Sequence, residues 1–318
     1  MNSHILKRII IRFIEFGGWR VVIEYIRMGL LFTCVKSVFM SIVKRKSLKS
    51  AYYAIISRVE SVLTDRYWHS ENSTSKPVVC NLEDEQRKIL WFCWLQGLDN
   101  APLSVKKCID VAAREMPQYT LRVITADNYK RWVALPVYIE EKYKKGYIPK
   151  AHMSDLLRVE LLSAYGGIYM DASVYCSGFG NDKLKERLAK ITSCDMFFFR
   201  YFDRNGTCVG IANWFIVAKA GNPLLMDVRR MMHAYWRDYS CVVNYYMMHL
   251  FMELACKSFS EIADKMPKLN AYHRLRLGYM LEKGFDPRKW ETLKENVALH
   301  KLNHRKVQSL SLPEDGDN

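Results

Sequence analysis

The apolar residues along this chain follow two spacings, one helical and one extended, and they alternate. Near the start, "HILKRIIIRFIEF" has the helical spacing: Leu6, Ile9, Ile10, Phe13 and Ile14 share one face, while Arg8, Arg12 and Glu15 occupy the other. Residues 28–43 then form a largely apolar run interrupted by Lys36 and closed by "KRKS". A spanning helix needs about 20 predominantly apolar residues, so this run predicts attachment in the plane of a membrane rather than a crossing. An amphipathic helical pair packed on the rest of the protein is the alternative. Residues 64–77 ("TDRYWHSENSTSKP") are polar and rich in Ser and Asn, the composition of a linker. The expected organisation is a basic helical segment at 1–75 followed by a main domain at 76–318.

In the main domain the spacing switches back and forth. "RKILWFCWLQG" has strand length and is stopped by Gly97. "NAPLSVKKCIDVAAREMP" predicts a helix, with Asn100 as cap, Pro102 in the first turn and Pro117 as the stop. "YTLRVITAD" is the next strand, which makes a βαβ unit and predicts a parallel sheet. Residues 128–147, rich in Tyr and Lys, read as helical and lead into "SDLLRVELLSAYGGIYMDASVY". Two further strands, "DMFFFRYF" and "GIANWFIVAKAG", precede helices from Pro223 and in "NYYMMHLFMELACKSF", and a basic end "ALHKLNHRK" precedes an acidic tail. The class is α/β, with ligands expected at the carboxyl ends of the parallel strands.

Composition narrows the function classes. Half of the 318 residues are hydrophobic, enough for a large core. Lysine and arginine number 48 against 33 acids, a net charge of +15, and the first 50 residues hold ten of those bases against two acids. That excess suits an anionic membrane or a phosphate-bearing substrate. Nucleic acid rests on charge alone, since no helix-turn-helix or finger motif accompanies it, and is not expected as a partner. Nine cysteines with no C-x-x-C pair indicate a reducing compartment and buried thiols rather than disulfides or zinc. Early charges break any signal-peptide core. No P-loop and no Ser/His/Asp or Cys/His arrangement is present.

The chemistry concentrates in residues 154–175. Ser154 is placed to cap a helix, and Asp155 falls in its first turn. Asp155 and Arg158 are three apart, so they share a face; side by side they suit sugar hydroxyls and a phosphate or ribose, with a plain ion pair as the alternative. Gly166 and Gly167 end the helix, and "IYMDASV" then alternates: Ile168, Met170 and Ala172 one way, Tyr169, Asp171 and Ser173 the other. Asp171 thus emerges where α/β folds bind ligands. For a nucleoside-diphosphate ligand, it would hold a divalent cation bridging the phosphates; a solvated acid at a strand end is the alternative.

"RKILWFCWLQG", "AHMSDLLRVELLSAYGGIYMDASVY", "GIANWFIVAKAGNPLL" and "NYYMMHLF", in that order over residues 87–300, resemble the capsular-polysaccharide-synthesis group of bacterial glycosyltransferases, related to the family-32 enzymes and more distantly to clostridial glucosylating toxins. The resemblance implies a GT-A, Rossmann-like nucleotide-sugar-binding fold behind an N-terminal helical extension. It implies a UDP-sugar donor, or a GDP-sugar less favoured, and a glycan or lipid-linked glycan acceptor. It also implies retention of anomeric configuration and a divalent cation, Mn2+ or Mg2+. Carried over by position, Asp171 is the first acid of a DXD motif, Asp155 and Arg158 the sugar-binding pair, and these three the catalytic set. Trp94 stacks on the base, and Gln96, Ser154, Tyr169 and Asn213 complete the donor site. Asp171, Ser173 and His300 are the metal set, His300 and Lys301 lying where relatives close the site.

Two departures stand out: Ser173 replaces the second DXD acid, and Asn244 stands where relatives tend to carry Asp. They support a rival reading, a GT-A-fold scaffold or membrane-surface binding protein that has lost its metal site. The enzyme reading places the protein in the cytoplasm, peripheral on the inner face of the cell membrane, with weakened metal affinity.

Overall fold

A computed structural model describes residues 18–43, 48–69, 76–81, 83 and 88–307 of the chain. The helix expected at residues 6–14 therefore lies outside the described residues. In chain order the elements are α1 (Trp19–Arg27), α2 (Leu31–Val43), α3 (Leu48–Tyr67), β1 (Ile89–Cys93), α4 (Leu103–Glu115) and β2 (Thr120–Ile124). Next come α5 (Val137–Lys144), α6 (Lys150–Tyr165), β3 (Gly167–Met170), β4 (Val174–Cys176), α7 (Asp182–Thr192), β5 (Met196–Phe202) and β6 (Cys208–Ala218). The chain continues with α8 (Pro223–Asp238), α9 (Met247–Ser258), α10 (Ser260–Lys265), α11 (Arg276–Lys283), α12 (Pro287–Lys294) and β7 (Leu299–Lys301).

The chain divides into two compact units: Met1–Ser75 with Leu135–Met153 and Asp227–Ala255, and Lys76–Ala134 with Ser154–Met226 and Cys256–Asn318. In the first unit, Tyr67 packs edge-on against Tyr235 and Phe251 and donates its hydroxyl to Asp238 Oδ2 at 2.8 Å. Lys142 Nζ donates to the carbonyls of Trp236, Arg237 and Tyr239. An ammonium at the end of α8 satisfies carbonyls that have no intrahelical partner and suits the negative end of the helix dipole. The apolar run at 28–43 is helical only from Leu31, as α2. Gly29, at φ +70°, turns the chain between α1 and α2, a conformation that suits a residue without Cβ. Nor does a linker begin at residue 64, because Thr64–Tyr67 complete α3.

The second unit holds the sheet, in the order β2-β1-β3-β6-β5. β1 pairs in parallel with both β2 and β3. That central position explains why all five of its residues are apolar and buried, since a parallel strand covered on both faces has no wet side. The α/β class expected from the sequence is present, with a mixed rather than parallel sheet: β6 runs antiparallel to β3 and β5. The reason is local. The tight "DRNGT" turn joins β5 to β6, and Asp203 Oδ1 accepts the amides of Asn205 and Thr207 at 2.9 and 2.8 Å. A connection that short reverses the chain. A second sheet pairs β4 antiparallel to β7.

Two prolines place helix ends that the sequence expectation put elsewhere. α4 starts after Pro102, whose carbonyl accepts the amides of Val105 and Lys106, so Asn100 is not its cap. Pro136 divides the stretch 128–147 into a short 3-10 turn at Tyr129–Arg131 and α5.

Candidate active site

α6, β3 and β6 bring the polar residues of the motif together. α6 begins at Lys150, with the Pro149 carbonyl accepting Met153 N at 2.9 Å. Ser154 is therefore in the second turn and is not a cap, and Asp155 lies beyond the first turn where the dipole favours an acid. Proline before the first turn sets the start, as its fixed φ and missing N–H suit that position. Ser154 has another use: its hydroxyl lies 3.1 Å from that of Tyr169.

The expected face-sharing of Asp155 and Arg158 holds, with Arg158 Nη2 3.4 Å from Asp155 Oδ1. The same nitrogen donates to Asp171 Oδ1 at 3.1 Å and to the Tyr169 hydroxyl at 3.3 Å, while Nη1 donates to the Asn213 carbonyl. Arg158 is buried, 5% exposed at its side chain, and its guanidinium lies 4.2 Å over the Tyr169 ring. Asn213 Nδ2 donates back to Asp155 Oδ1 at 3.3 Å. Such a buried cation serves both acids at once: it pairs with Asp155 by charge and gives Asp171 a charge-assisted hydrogen bond, about twice as strong as a neutral one. Burial pushes the Tyr169 phenol well above its ordinary pKa, so it remains a neutral donor.

Asp171 follows β3. Its amide donates to the Trp214 carbonyl at 2.8 Å, which fixes the backbone at the strand end. Burial would raise its pKa, but Lys301 and Arg158 outweigh burial and hold the carboxyl below its ordinary value. Lys301 Nζ lies 2.9 Å from Asp171 Oδ2 and donates to Ser173 Oγ at 2.6 Å. The segment that carries it is held by pairing of β7 with β4, Lys301 opposite Val174, and by Leu302 N donating to the Ser173 carbonyl at 2.9 Å.

The metal set expected from the sequence is not assembled. His300 is fully buried, its Nε2 2.9 Å from Ser177 Oγ and its ring against Trp290 and Tyr175. Adjacent strand residues face opposite sides, so the side chain that reaches Asp171 and Ser173 is Lys301. Burial, with the Arg274 charge adding to it, depresses the His300 pKa to about 3. Among the described residues no group of three His, Cys, Asp or Glu is placed to hold a metal ion. The chemistry of the set, one carboxylate and one hydroxyl both bound to an ammonium, does not fit a divalent cation, which favours several free oxygens.

Trp94 follows β1, half-buried, with its ring edge-on to His304 at 5.2 Å and its Nε1 buried without a hydrogen-bond partner. Burial and the charges of Lys301 and Arg305 lower the His304 pKa. Gln96 is exposed in the turn after β1, and its carbonyl accepts Asn100 Nδ2; no described contact ties its side chain to the cluster. Trp214 stacks on Phe199 at 4.9 Å inside the core. In the first unit, Asn244 is buried and its amide donates to Glu60 at 3.1 Å. An acid at 244 would face Glu60 with like charge, so the amide suits its neighbour. His152 is also buried there, between Trp236 and Tyr245, and burial lowers its pKa to about 4. The sequence expectation had Lys301 only as a residue of the segment that closes the site in relatives, and gave His304 no role; the signal in the chain was the basic spacing of "HKLNHRK".

Comparison with known families gives the family of the chain. A family model described as capsular polysaccharide synthesis protein matches residues 37–312. The chain belongs to that family. Among characterised relatives, O-glycosyltransferase PaGT of Phomopsis amygdali is 30% identical over 96 residues, covering 27% of this chain and 24% of its own length. The match thus spans about a quarter of that relative. Among solved structures, PaToxG glycosyltransferase is 16% identical with a TM-score of 0.38, covering 56% of this chain and 73% of its own. The catalytic domain of alpha-toxin from Clostridium novyi is 10% identical with a TM-score of 0.29, covering 76% and 74%. Membership of the capsular polysaccharide synthesis family rests on the family model.

Proposed function

We propose that this chain transfers a sugar from a nucleoside-diphosphate donor, a UDP-sugar before a GDP-sugar, to a glycan or lipid-linked glycan in surface-polysaccharide synthesis. The observation that carries the reading is the network in which Arg158 binds both Asp155 and Asp171 at the carboxyl end of β3, which pairs in parallel with β1. Family membership and the name of the PaGT relative support the reaction class.

Asp155 and Asp171 accept hydrogen bonds from hydroxyls of the donor's sugar and ribose. Arg158 holds both acids in place; buried as it is, it is a positioning residue and not a contact for the diphosphate. Trp94 offers an indole face to the base, since any base presents a π-face for stacking. Retention of anomeric configuration, which the family resemblance implies, is part of the proposal. The same reading places the protein on the inner face of the cell membrane. Support comes from α2, which exposes Phe32, Val35, Phe39 and Val43 at helical spacing, and from the basic N-terminal segment. About 1 kcal/mol per basic residue accrues near an anionic surface. No helix among the described residues is long and apolar enough to cross a membrane.

Titrating UDP- and GDP-sugars while following tryptophan fluorescence tests the proposal. The wild type is expected to respond to at least one donor, and Asp171→Asn to lose the response and the transfer while remaining folded at the assay temperature by circular dichroism. A wild type silent to every nucleotide sugar favours the scaffold reading; an Asp171→Asn variant that transfers normally refutes the site.

A further inference from the structure

We infer that Lys301 is the resident cation of this site: its ammonium stands between Asp171 and Ser173 and receives the donor's diphosphate, so that donor binding and transfer need no divalent metal. This inference rests on the donor site proposed above.

Three observations converge on it. The first is the contact geometry. Lys301 Nζ meets Asp171 Oδ2 at 2.9 Å and Ser173 Oγ at 2.6 Å, and Arg158 takes the remaining oxygen, Oδ1, at 3.1 Å. Both carboxylate oxygens of Asp171 thus already face a cationic nitrogen, and a metal would have to displace one of them.

The second is charge. Two acids around a dication and one acid with a hydroxyl around an ammonium carry the same net charge. The neutral residue at 173 and the lysine at 301 therefore compensate each other. A second carboxylate at 173 would add a charge that one ammonium does not offset, and a dication at the present pair would lack one.

The third is placement. Lys301 is held in a strand paired with β4, and Leu302 N binds the Ser173 carbonyl. The backbone that carries the ammonium is thus locked to the residue it contacts. An ammonium has three donors, and two are used here, which leaves one for a phosphate oxygen. Its side chain is 23% exposed, so that donor is within reach of solvent and ligand. His304 and Arg305 follow in the same turn, and His304 touches Trp94, where the base is proposed to stack.

In the transfer, the bond between the sugar's anomeric carbon and the β-phosphate oxygen breaks with its electron pair on that oxygen. The acceptor oxygen bonds the anomeric carbon, and the acceptor's proton passes to the departing phosphate. Lys301 keeps its own proton throughout and donates a hydrogen bond to the oxygen on which charge grows. A fixed donor aimed at developing charge is the kind of group that lowers such a barrier.

The test uses the full chain, with UDP and GDP as probes, calorimetry for their binding and electron paramagnetic resonance for Mn2+. The wild type is expected to bind one diphosphate equally well in EDTA and in Mn2+, with no Mn2+ bound at the site. Lys301→Met is expected to weaken that binding about 10- to 100-fold, the range for a hydrogen bond to a charged group, while remaining folded at the assay temperature by circular dichroism. Lys301→Arg should recover part of the affinity. The double variant Ser173→Asp with Lys301→Ala should bind Mn2+ and regain the diphosphate only in its presence. Wild-type binding that EDTA abolishes and Mn2+ restores would overturn the inference and leave the glycosyltransferase reading standing. A folded Lys301→Met with undiminished affinity would overturn it too. A wild type that binds neither diphosphate under either condition would remove the donor site itself.

Discussion

Replacing Arg158 by methionine tests the electrostatic logic of the site apart from catalysis. The change keeps most of the volume and removes the guanidinium. It leaves Asp155 and Asp171, whose side chains are 15% and 24% exposed, without their shared cation, and the Asn213 carbonyl and Tyr169 hydroxyl without its hydrogens. Breaking a buried ion pair by deleting one partner costs about 3–5 kcal/mol. Asp171 keeps Lys301 and Asp155 keeps Asn213, which argues for the lower part of that range. The pH dependence supplies the sign. The Asp171 carboxyl is held below its ordinary pKa when folded, so the stability it contributes is present above the unfolded carboxylate value of about 3.9 and is lost as pH falls through the folded value. The gap between wild type and variant should therefore be full at pH 7 and narrow under acid conditions, where protonated acids no longer need the guanidinium. Urea unfolding followed by circular dichroism measures both. A double-mutant cycle with Asp171→Asn should return a coupling of about 0.5–3 kcal/mol. A gap under about 1 kcal/mol at pH 7, outside the range expected for a lost buried pair, would refute the reasoning, as would a gap independent of pH or strict additivity with Asp171→Asn.

Other expectations follow from single contacts. His300 and His152, with pKa values lowered to about 3 and about 4, bind fewer protons folded than unfolded. Stability should fall as pH drops below about 6.5, by about 1.4 kcal/mol per pH unit for each histidine until its folded value is reached; His300→Gln should flatten the slope in denaturant titrations between those limits. Gly167→Ala should destabilise by about 1–3 kcal/mol or more, because φ is +96° and the new Cβ would meet the Ile89 carbonyl oxygen at 2.5 Å; a thermal midpoint equal to the wild type would contradict this. Ser154→Ala loses one hydroxyl contact but gains helix propensity of about 0.5 kcal/mol, so its unfolding midpoint in urea should shift little, whereas a helix cap would cost more. Phe32→Glu with Phe39→Glu should reduce co-sedimentation with anionic vesicles and leave diphosphate binding unchanged.

The sequence was most informative where spacing alone determines contact. Three residues of helix place Asp155 beside Arg158 whatever the surroundings, and two glycines, the second opening the short strand β3, deliver Asp171 to its end. It was less informative where two local signals compete. Ser154 has the chemistry of a cap, but Pro149 starts the helix a turn earlier, and the serine's hydroxyl turns to Tyr169 instead. Strand direction was hidden for a different reason: the apolar runs of β5 and β6 look the same in either direction, and only the short turn at Asp203 decides it.

The choice between His300 and Lys301 shows what a one-residue shift in register does. Both lie in a strand more than a hundred residues from Asp171 in sequence, and period two sends one inward and the other to the site. Chemistry alone favours the histidine as a ligand. The pairing of Tyr175 with His300 and Val174 with Lys301 reverses that preference, because it buries the imidazole against Trp290 and leaves the ammonium to Asp171. Ser173 then ceases to be a damaged metal ligand. A hydroxyl accepts a lysine without adding a charge that the lysine would have to neutralise, so the serine and the lysine constrain each other. Removing the ammonium alone should therefore weaken diphosphate binding, whereas Ser173→Asp with Lys301→Ala should recover it when Mn2+ is present.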